Sequence, residues 1–300
     1  MIPSQNLVAW SQVVPWSEQR QVEQDLILCR AIIAIFGDPF LREQLRFRGG
    51  TALHKLHFTA PLRYSEDLDF VRTTAGPIKQ LLQRLRAVTE PWLGPASYDR
   101  SITAPKLRFA VPAEDGGPPI RIKIEINTRE IEAYDEPQNL SIRVDNPWFS
   151  GTATVPTFSR EELLATKLRA LLQRDKGRDL FDLAEALDRF QGLNRTRVVG
   201  IMGRCLSLSQ TAIPRAEAER RMFAKLRNQA LLTDLRPLLP ADEASRLTEE
   251  STREAFRKVF SRLIELLPGA PWAKTGEMLQ RFNLGQPEPS GAVNPPNPSG

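Results

Sequence analysis

Asp67 and Asp69 stand two residues apart in Arg63-Tyr-Ser-Glu-Asp-Leu-Asp-Phe70, downstream of a Gly49-Gly50-Thr51 turn. In a strand, side chains alternate between faces, so Arg63, Ser65, Asp67 and Asp69 would share one face and Leu68 and Phe70 the other. Two carboxylates held side by side repel each other unless a cation lies between them. A hard divalent ion such as Mg²⁺, which takes oxygen ligands and travels with substrate phosphates, suits that position, with Mn²⁺ as the alternative ion. The same spacing also fits a solvated acidic edge paired with Arg63. The glycine pair lets backbone approach a phosphate closely, and the free N–H groups of a helix start attract phosphate. Thr51 would cap that helix or bond a phosphate oxygen, although a glycine pair alone also makes a plain turn.

Two further pieces extend this chemistry. Glu125 lies on the polar face of Ile120-Arg-Ile-Lys-Ile-Glu-Ile-Asn127, where it would complete a trio of acids able to hold one or two metal ions; alone, it reads equally as a surface partner of Lys123. Lys167, Leu171, Arg174 and Arg178 fall at steps of four, three and four, near one face of a continuous helix that Gly177 would bend or end. Three cations there would grip a triphosphate, with arginine bidentate and lysine a point charge. Asp182 lies one turn beyond Arg178; the plain alternative is an exposed Arg178–Asp182 pair worth about 0.3–0.5 kcal/mol.

The elements that must position these groups follow from periodicity. Val22, Leu26, Cys29 and Ile33 predict helices over 17–46, interrupted at Asp38-Pro39. A short helix over 51–58 and a strand over 63–70 come next, then a helix over 78–93. Residues 106–127 alternate as a β-hairpin around Glu114-Asp-Gly-Gly117, and a strand is expected over 140–144. Ser159-Arg-Glu-Glu162 reads as a capping box opening a helix over about 160–175. Helical periodicity runs on to about residue 283. The tail, rich in Pro, Gly, Ser and Asn, cannot bury enough to order itself. The expected organisation is an α/β unit over 1–157, a helical unit over 158–283 and a disordered segment over 284–300. Arg215–Arg227 could be an RNA-facing helix or a solvated amphipathic one.

Composition narrows the function. Three hundred residues at 41% apolar content can bury a full core, and a net charge of +5 favours a phosphate-bearing partner. Two cysteines make no disulfide framework, which points to a reducing cytoplasm. The run 26–36 is cut by Arg30 and too short to span a bilayer, so no membrane association is expected. His54 and His57, with no cysteine near, suit packing or backbone bonding rather than zinc. Ser65 has no histidine placed to serve it, and no Gly-x-x-x-x-Gly-Lys-Ser/Thr occurs, which argues against a hydrolase triad and a P-loop.

Taken together, three segments resemble the AbiEii/AbiGii family of nucleotidyltransferase toxins, the group that includes MenT-type toxins. They are Phe47-Arg-Gly-Gly-Thr-Ala-Leu-His-Lys-Leu56 with the Arg63–Phe70 stretch; Ile122-Lys-Ile-Glu-Ile126; and Glu162–Leu171 followed by Arg174-Asp-Lys-Gly-Arg-Asp-Leu-Phe-Asp-Leu183. The stretch from Pro15-Trp16 to Gln24-Asp25 is also similar. The resemblance implies an α+β polymerase-β-like nucleotidyltransferase fold with a mixed sheet and a helical C-terminal domain. It implies Mg²⁺ dependence, an NTP substrate and an antitoxin partner. In MenT-like relatives the acceptor is the 3′ end of tRNA, and the added nucleotides block aminoacylation. By that analogy Asp67 and Asp69 bind metal, Lys167 contacts the triphosphate, and Asp182 completes the nucleotide site beside Ser65. This chain departs from the family pattern in its long Gly50-to-Asp67 gap, in Gly-Thr for the usual Gly-Ser, and in Glu125 for the commoner Asp. A protein or small-molecule hydroxyl as acceptor, and a non-catalytic RNA- or antitoxin-binding module, are the competing expectations.

Overall fold

The structure, a computed structural model, describes residues 2–101, 103–227 and 234–285. Its centre is one mixed sheet of seven strands: β1 (Leu45–Arg48), β2 (Asp67–Arg72), β3 (Ser97–Asp99), β4 (Lys106–Val111), β5 (Ile120–Asn127), β6 (Gln138–Asn146) and β7 (Phe149–Thr157). The spatial order is β3-β4-β5-β2-β1-β7-β6. β2 runs parallel to β5 and antiparallel to β1, while β1 and β7 are parallel.

Alternation decides which face each side chain serves. Leu68 and Phe70 of β2 and the four isoleucines of β5 point into a core with α1 (Ser4–Ser11), α2 (Gln19–Gly37), α3 (Pro39–Gln44) and α5 (Lys79–Leu93). Between β1 and β2 lies α4 (Gly49–Ala52), which continues as a π-helical turn, Leu53–His57. Asp38 ends α2 and caps α3: its Oδ1 accepts the Leu41 N–H at 3.0 Å, and Pro39 supplies the fixed φ of a first turn. Asp25, buried on α2, collects four donors, one of them the Cys29 thiol at 3.6 Å from Oδ1. The indole N–H groups of Trp10 and Trp16 reach its two oxygens at 3.0 Å each, and Lys55 Nζ lies 2.8 Å away.

The second half is helical: α6 (Arg160–Gln173), α7 (Gly177–Arg189), α8 (Arg195–Leu208), α9 (Arg215–Leu226), α10 (Ala241–Arg246), α11 (Glu249–Arg262) and α12 (Thr275–Arg281). Leu164, Leu168, Phe223, Phe256 and Phe260 form its core, joined by Val71 of β2 and by Leu53 and Phe58. The helical half therefore packs on the sheet face opposite α2, the face that carries Asp67 and Asp69. No helix among the described residues is long and apolar enough to cross a membrane. Cys29 and Cys205 are free and buried.

Several expectations change. The helical segment 17–46 gives way to β1 at Leu45. The strand expected over 63–70 begins only at Asp67, so Arg63 and Ser65 lie in the preceding loop and do not share its face. The single helix bearing Lys167 and Arg178 is two helices, with Arg174 at the end of α6 and Gly177 opening α7 rather than ending a helix. Half of the capping box forms: Ser159 Oγ accepts the Glu162 N–H at 3.1 Å. The Glu162 carboxylate instead accepts the Tyr134 and Asp135 N–H groups at 3.1 and 3.3 Å. β1, β3 and β7 were not foreseen. Leu284, placed in the tail, is buried in the helical core, and residues 286–300 lie outside the described residues.

Candidate active site

Register brings the acids together. Asp69 stands opposite Glu125 on β5 and Arg48 on β1, and Asp67 stands opposite Lys123. One cleft of about 400 Å³ gathers Gly49, Gly50, Ser65, Asp67, Asp69 and Glu125 on the sheet side, with Lys167, Arg174 and Arg178 on the helical side. Of the residues singled out in the sequence, Thr51 and Asp182 are buried behind its wall, and neither lines it.

The glycine turn is built around Asp69. Gly49 has φ of +81°, and a Cβ there would meet Asp69 Oδ2 at 2.4 Å. A Cβ on Gly50 would meet Arg63 Nη2 at 2.7 Å, so this glycine lets the Arg63 guanidinium pass beneath the turn. Gly49→Ala combines a left-handed backbone, costing about 1–2 kcal/mol, with displacement of a carboxylate. It should lower the melting temperature and reduce any nucleotidyl transfer together; a variant matching wild type in both would contradict this packing. Below the turn, the Thr51 hydroxyl donates to the Asp67 carbonyl at 2.5 Å and pairs with Ser65 Oγ at 2.8 Å. Because Thr51 has one proton, already given to Asp67, Ser65 is the donor in the second bond. Thr51 thus fixes the start of β2 instead of capping α4.

Opposite the acids, charges alternate in a chain that is buried except at Arg174. Arg63 donates to Asp182 through Nε and Nη2 at 2.6 Å each. Lys167 Nζ lies 2.8 Å from Asp182 and 3.4 Å from Asp179, and Arg174 donates to Asp179 at 2.7 and 2.9 Å. Both aspartates are fully buried, Lys167 is 8% exposed, and Arg174 reaches the cleft. Three cations against two anions leave one net positive charge on this chain, and Arg178 adds another on the same side of the cleft, as a phosphate site needs. Arg178, half-buried in the cleft, makes no ion pair among the described residues. Burial would push the Asp182 carboxyl up, but Arg63 and Lys167 outweigh it and hold it well below the usual range.

His54 closes this network. Its Nδ1 accepts the Leu62 N–H at 3.3 Å, which leaves the proton on Nε2, 3.0 Å from Asp182 Oδ1. Burial, and then the cations Arg63 and Lys167, outweigh Asp182 and push His54 down to about 4. His57 is likewise held at about 4, by burial and by Arg160. The unfolded chain therefore takes up protons in a window where the native state does not. Stability from the neutral imidazoles is complete above pH 6.5, the ordinary histidine value, and is lost as pH falls toward 4. Glu162, pushed up to about 7 by burial, acts in the opposite direction. Urea unfolding from pH 7 to 4 should thus show a shallower loss for His57→Gln than for wild type; parallel curves would refute it.

The acids fit a divalent ion in part. Asp69 has no hydrogen-bond donor among the described residues, and burial together with Asp67 raises its pKa. Mg²⁺ needs only one or two carboxylates with phosphate oxygens and water, and Asp67 and Asp69 meet that demand. No three acidic, histidine or cysteine groups stand in ligating geometry among the described residues. Glu125, expected as the third ligand, is instead ion-paired with Lys106 and Lys123, each at 3.5 Å.

Asp179 was not singled out in the sequence, although its Arg-Asp pairing at 178–179 lay in view. Lys123 Nζ lies 3.0 Å from Asp67 Oδ2, a partner that its place beside Glu125 in the sequence does not reveal. Glu130 was also missed; it holds the cleft residues Arg48 and Arg169, the latter at 2.6 and 3.0 Å.

A mixed sheet presenting two aspartates beside a Gly-Gly helix start, faced by a helical half, places the chain in the nucleotidyltransferase-like fold class. MenT4, a nucleotidyltransferase toxin from Mycobacterium tuberculosis H37Rv, has a similar structure at a TM-score of 0.60 and 18% identity, covering 92% of this chain and 91% of that one. JHP933 from Helicobacter pylori is similar at 0.52 and 19% identity, over 89% and 98% of the two chains. No curated protein sequence matches. The chain belongs to the AbiEii family, the nucleotidyl transferase toxins of type IV toxin–antitoxin systems, whose model it matches over residues 30–271.

Proposed function

We propose that this protein transfers a nucleoside monophosphate from an NTP to the 3′-terminal hydroxyl of tRNA, using Mg²⁺. Translation is thereby blocked in the cytoplasm until an antitoxin protein restrains the enzyme. The observation that carries this reading is that Asp67 and Asp69 face Lys167, Arg174 and Arg178 across one cleft, with the Gly49-Gly50 helix start beside them. MenT4 bears the name of a nucleotidyltransferase toxin, in keeping with the reading. On this reading residues 1–157 supply the acids and the glycine turn, and residues 158–283 supply the cations.

Asp67 and Asp69 would hold the ion, and Glu125 would join them once freed of its lysines. When bound, the metal supplies charge neutralisation of the triphosphate and an acidified acceptor hydroxyl. The N–H groups at Gly49 and Gly50 and the side chains of Lys167, Arg174 and Arg178 bind the β- and γ-phosphates, and Ser65 lies beside them. Asp182 and Asp179 act as positioning residues that hold Lys167 and Arg174 in place. The acceptor oxygen bonds to the α-phosphorus, the bond to the β-phosphate oxygen breaks, pyrophosphate leaves, and the hydroxyl proton passes to solvent. The cations keep the leaving charge on the helical side, away from the acids.

Incubation with total tRNA, Mg²⁺ and each α-labelled NTP in turn tests the reading, with label expected in RNA for wild type and absent for Asp67→Ala. Label in protein or in a small-molecule fraction would assign another acceptor. No label in any fraction, with wild type equal to Asp67→Ala, would defeat the proposal.

A further inference from the structure

Two carboxylates of the cleft already have a cation of their own. Lys123 on β5 is the direct partner of Asp67 across the parallel β5–β2 register. Its ammonium sits 3.0 Å from Asp67 Oδ2 and 3.5 Å from Glu125 Oε2. Among the described residues Lys106 reaches only Glu125, at 3.5 Å, and Asp69 has no donor. Mg²⁺ would approach Asp67 to about 2.0–2.1 Å, and a divalent ion and an ammonium cannot share the same carboxylate edge without strong repulsion. The lysine, on a flexible four-carbon stem and opening to the cleft, can leave; the strand-borne carboxylates cannot.

We propose that Lys123 is a resident countercation for Asp67 and Glu125 that the divalent ion must displace, so that metal binds weakly until a nucleotide is present to receive the freed ammonium. The inference rests on the reading that Asp67 and Asp69 hold the ion. Without metal, Lys123 relieves the repulsion among three acids that share one sheet face. With metal and NTP together, the polyphosphate offers oxygens to the metal and negative charge to the lysine. Lys123 thereby makes each ligand favour the other, and such coupling is reciprocal. The nucleotide should tighten metal binding, and the metal should tighten nucleotide binding by the same factor. With Lys123 seated between Asp67 and Glu125, no three-ligand metal cluster stands ready among the described residues, although the acids that would form one are present in register.

Mn²⁺ binding followed by electron paramagnetic resonance, with and without a non-hydrolysable NTP analogue, tests this without any turnover. Lys123→Met should bind Mn²⁺ about tenfold or more tightly than wild type in the absence of nucleotide, as removal of one facing ammonium requires. The tightening produced by the analogue should shrink by a similar factor. Lys106→Met, which spares Asp67, should move the affinity much less, and Asp69→Asn should abolish binding. If Lys123→Met fails to fold, Lys123→Gln carries the same expectation. Affinity of the Lys123 variant within twofold of wild type, or weaker, overturns the proposal while the metal site stands, provided Asp69→Asn has lost the ion. Absence of Mn²⁺ binding in wild type and Lys123 variant alike overturns the proposal and the metal site together.

Discussion

Asp69→Asn should reduce nucleotidyl transfer by on the order of 10³-fold or more, the kinetic equivalent of losing several kcal/mol of charge stabilisation at the reacting phosphate. The same variant should be at least as stable as wild type. Asp69 accepts no hydrogen bond among the described residues, and burial beside Asp67 raises its pKa, so ionising it opposes folding. The neutral amide removes that repulsion and fits the space beside Gly49. Initial rates with α-labelled NTP, read with thermal melts of the same samples, separate the two effects. A rate within tenfold of wild type would mean that this carboxylate does not hold the ion. A lower melting temperature would mean that its charge has a structural partner.

Asp182→Ala should act in the opposite way, costing about 3–5 kcal/mol of stability, as breaking a buried pair does. The carboxylate is fully buried and is met by the Arg63 guanidinium, Lys167 Nζ and the His54 Nε2–H. Alanine would strand two buried cations and one donor. Asp179→Ala removes a carboxylate equally buried, but Arg174 has a side chain 47% exposed and can turn to water, so a smaller loss is expected. Denaturant unfolding measures both, and a loss below 1 kcal/mol for Asp182→Ala would show that the network is not under charge stress. Because Lys167 loses its tether, residual activity in Asp182→Asn should show a raised KM for NTP ahead of a lowered kcat.

What the sequence made legible was local. The isoleucine alternation of β5, the Glu114–Gly117 turn and the Asp38-Pro39 break each declare themselves within a few residues, and each is where expected. β7 escaped because Gly151 and Pro156 interrupt its alternation, and β1 because four residues running out of a helical pattern look like more of it. The acids and cations were recognisable by type and spacing, whereas their partners were not. Asp182 meets Arg63 from 119 positions away, and Asp67 meets Lys123 only because β2 and β5 pair in one register. Spacing suggested Arg178 as the mate of Asp182, yet Asp182 is met by Arg63, Lys167 and His54 while Arg178 lines the cleft.

The Asp25 cluster has a bearing on how short the chain can be made. The family match starts at residue 30, yet Trp10, Trp16 and Asp25 precede it, and the ammonium they help to shelter belongs to Lys55, at the far end of the helical turn that begins with Gly49. A fragment trimmed to the matched span would leave Lys55 without its carboxylate and loosen the anchor of the glycine turn from behind. The leading residues are in this sense a keel for the face that carries the cleft, although none of the described ones lines it.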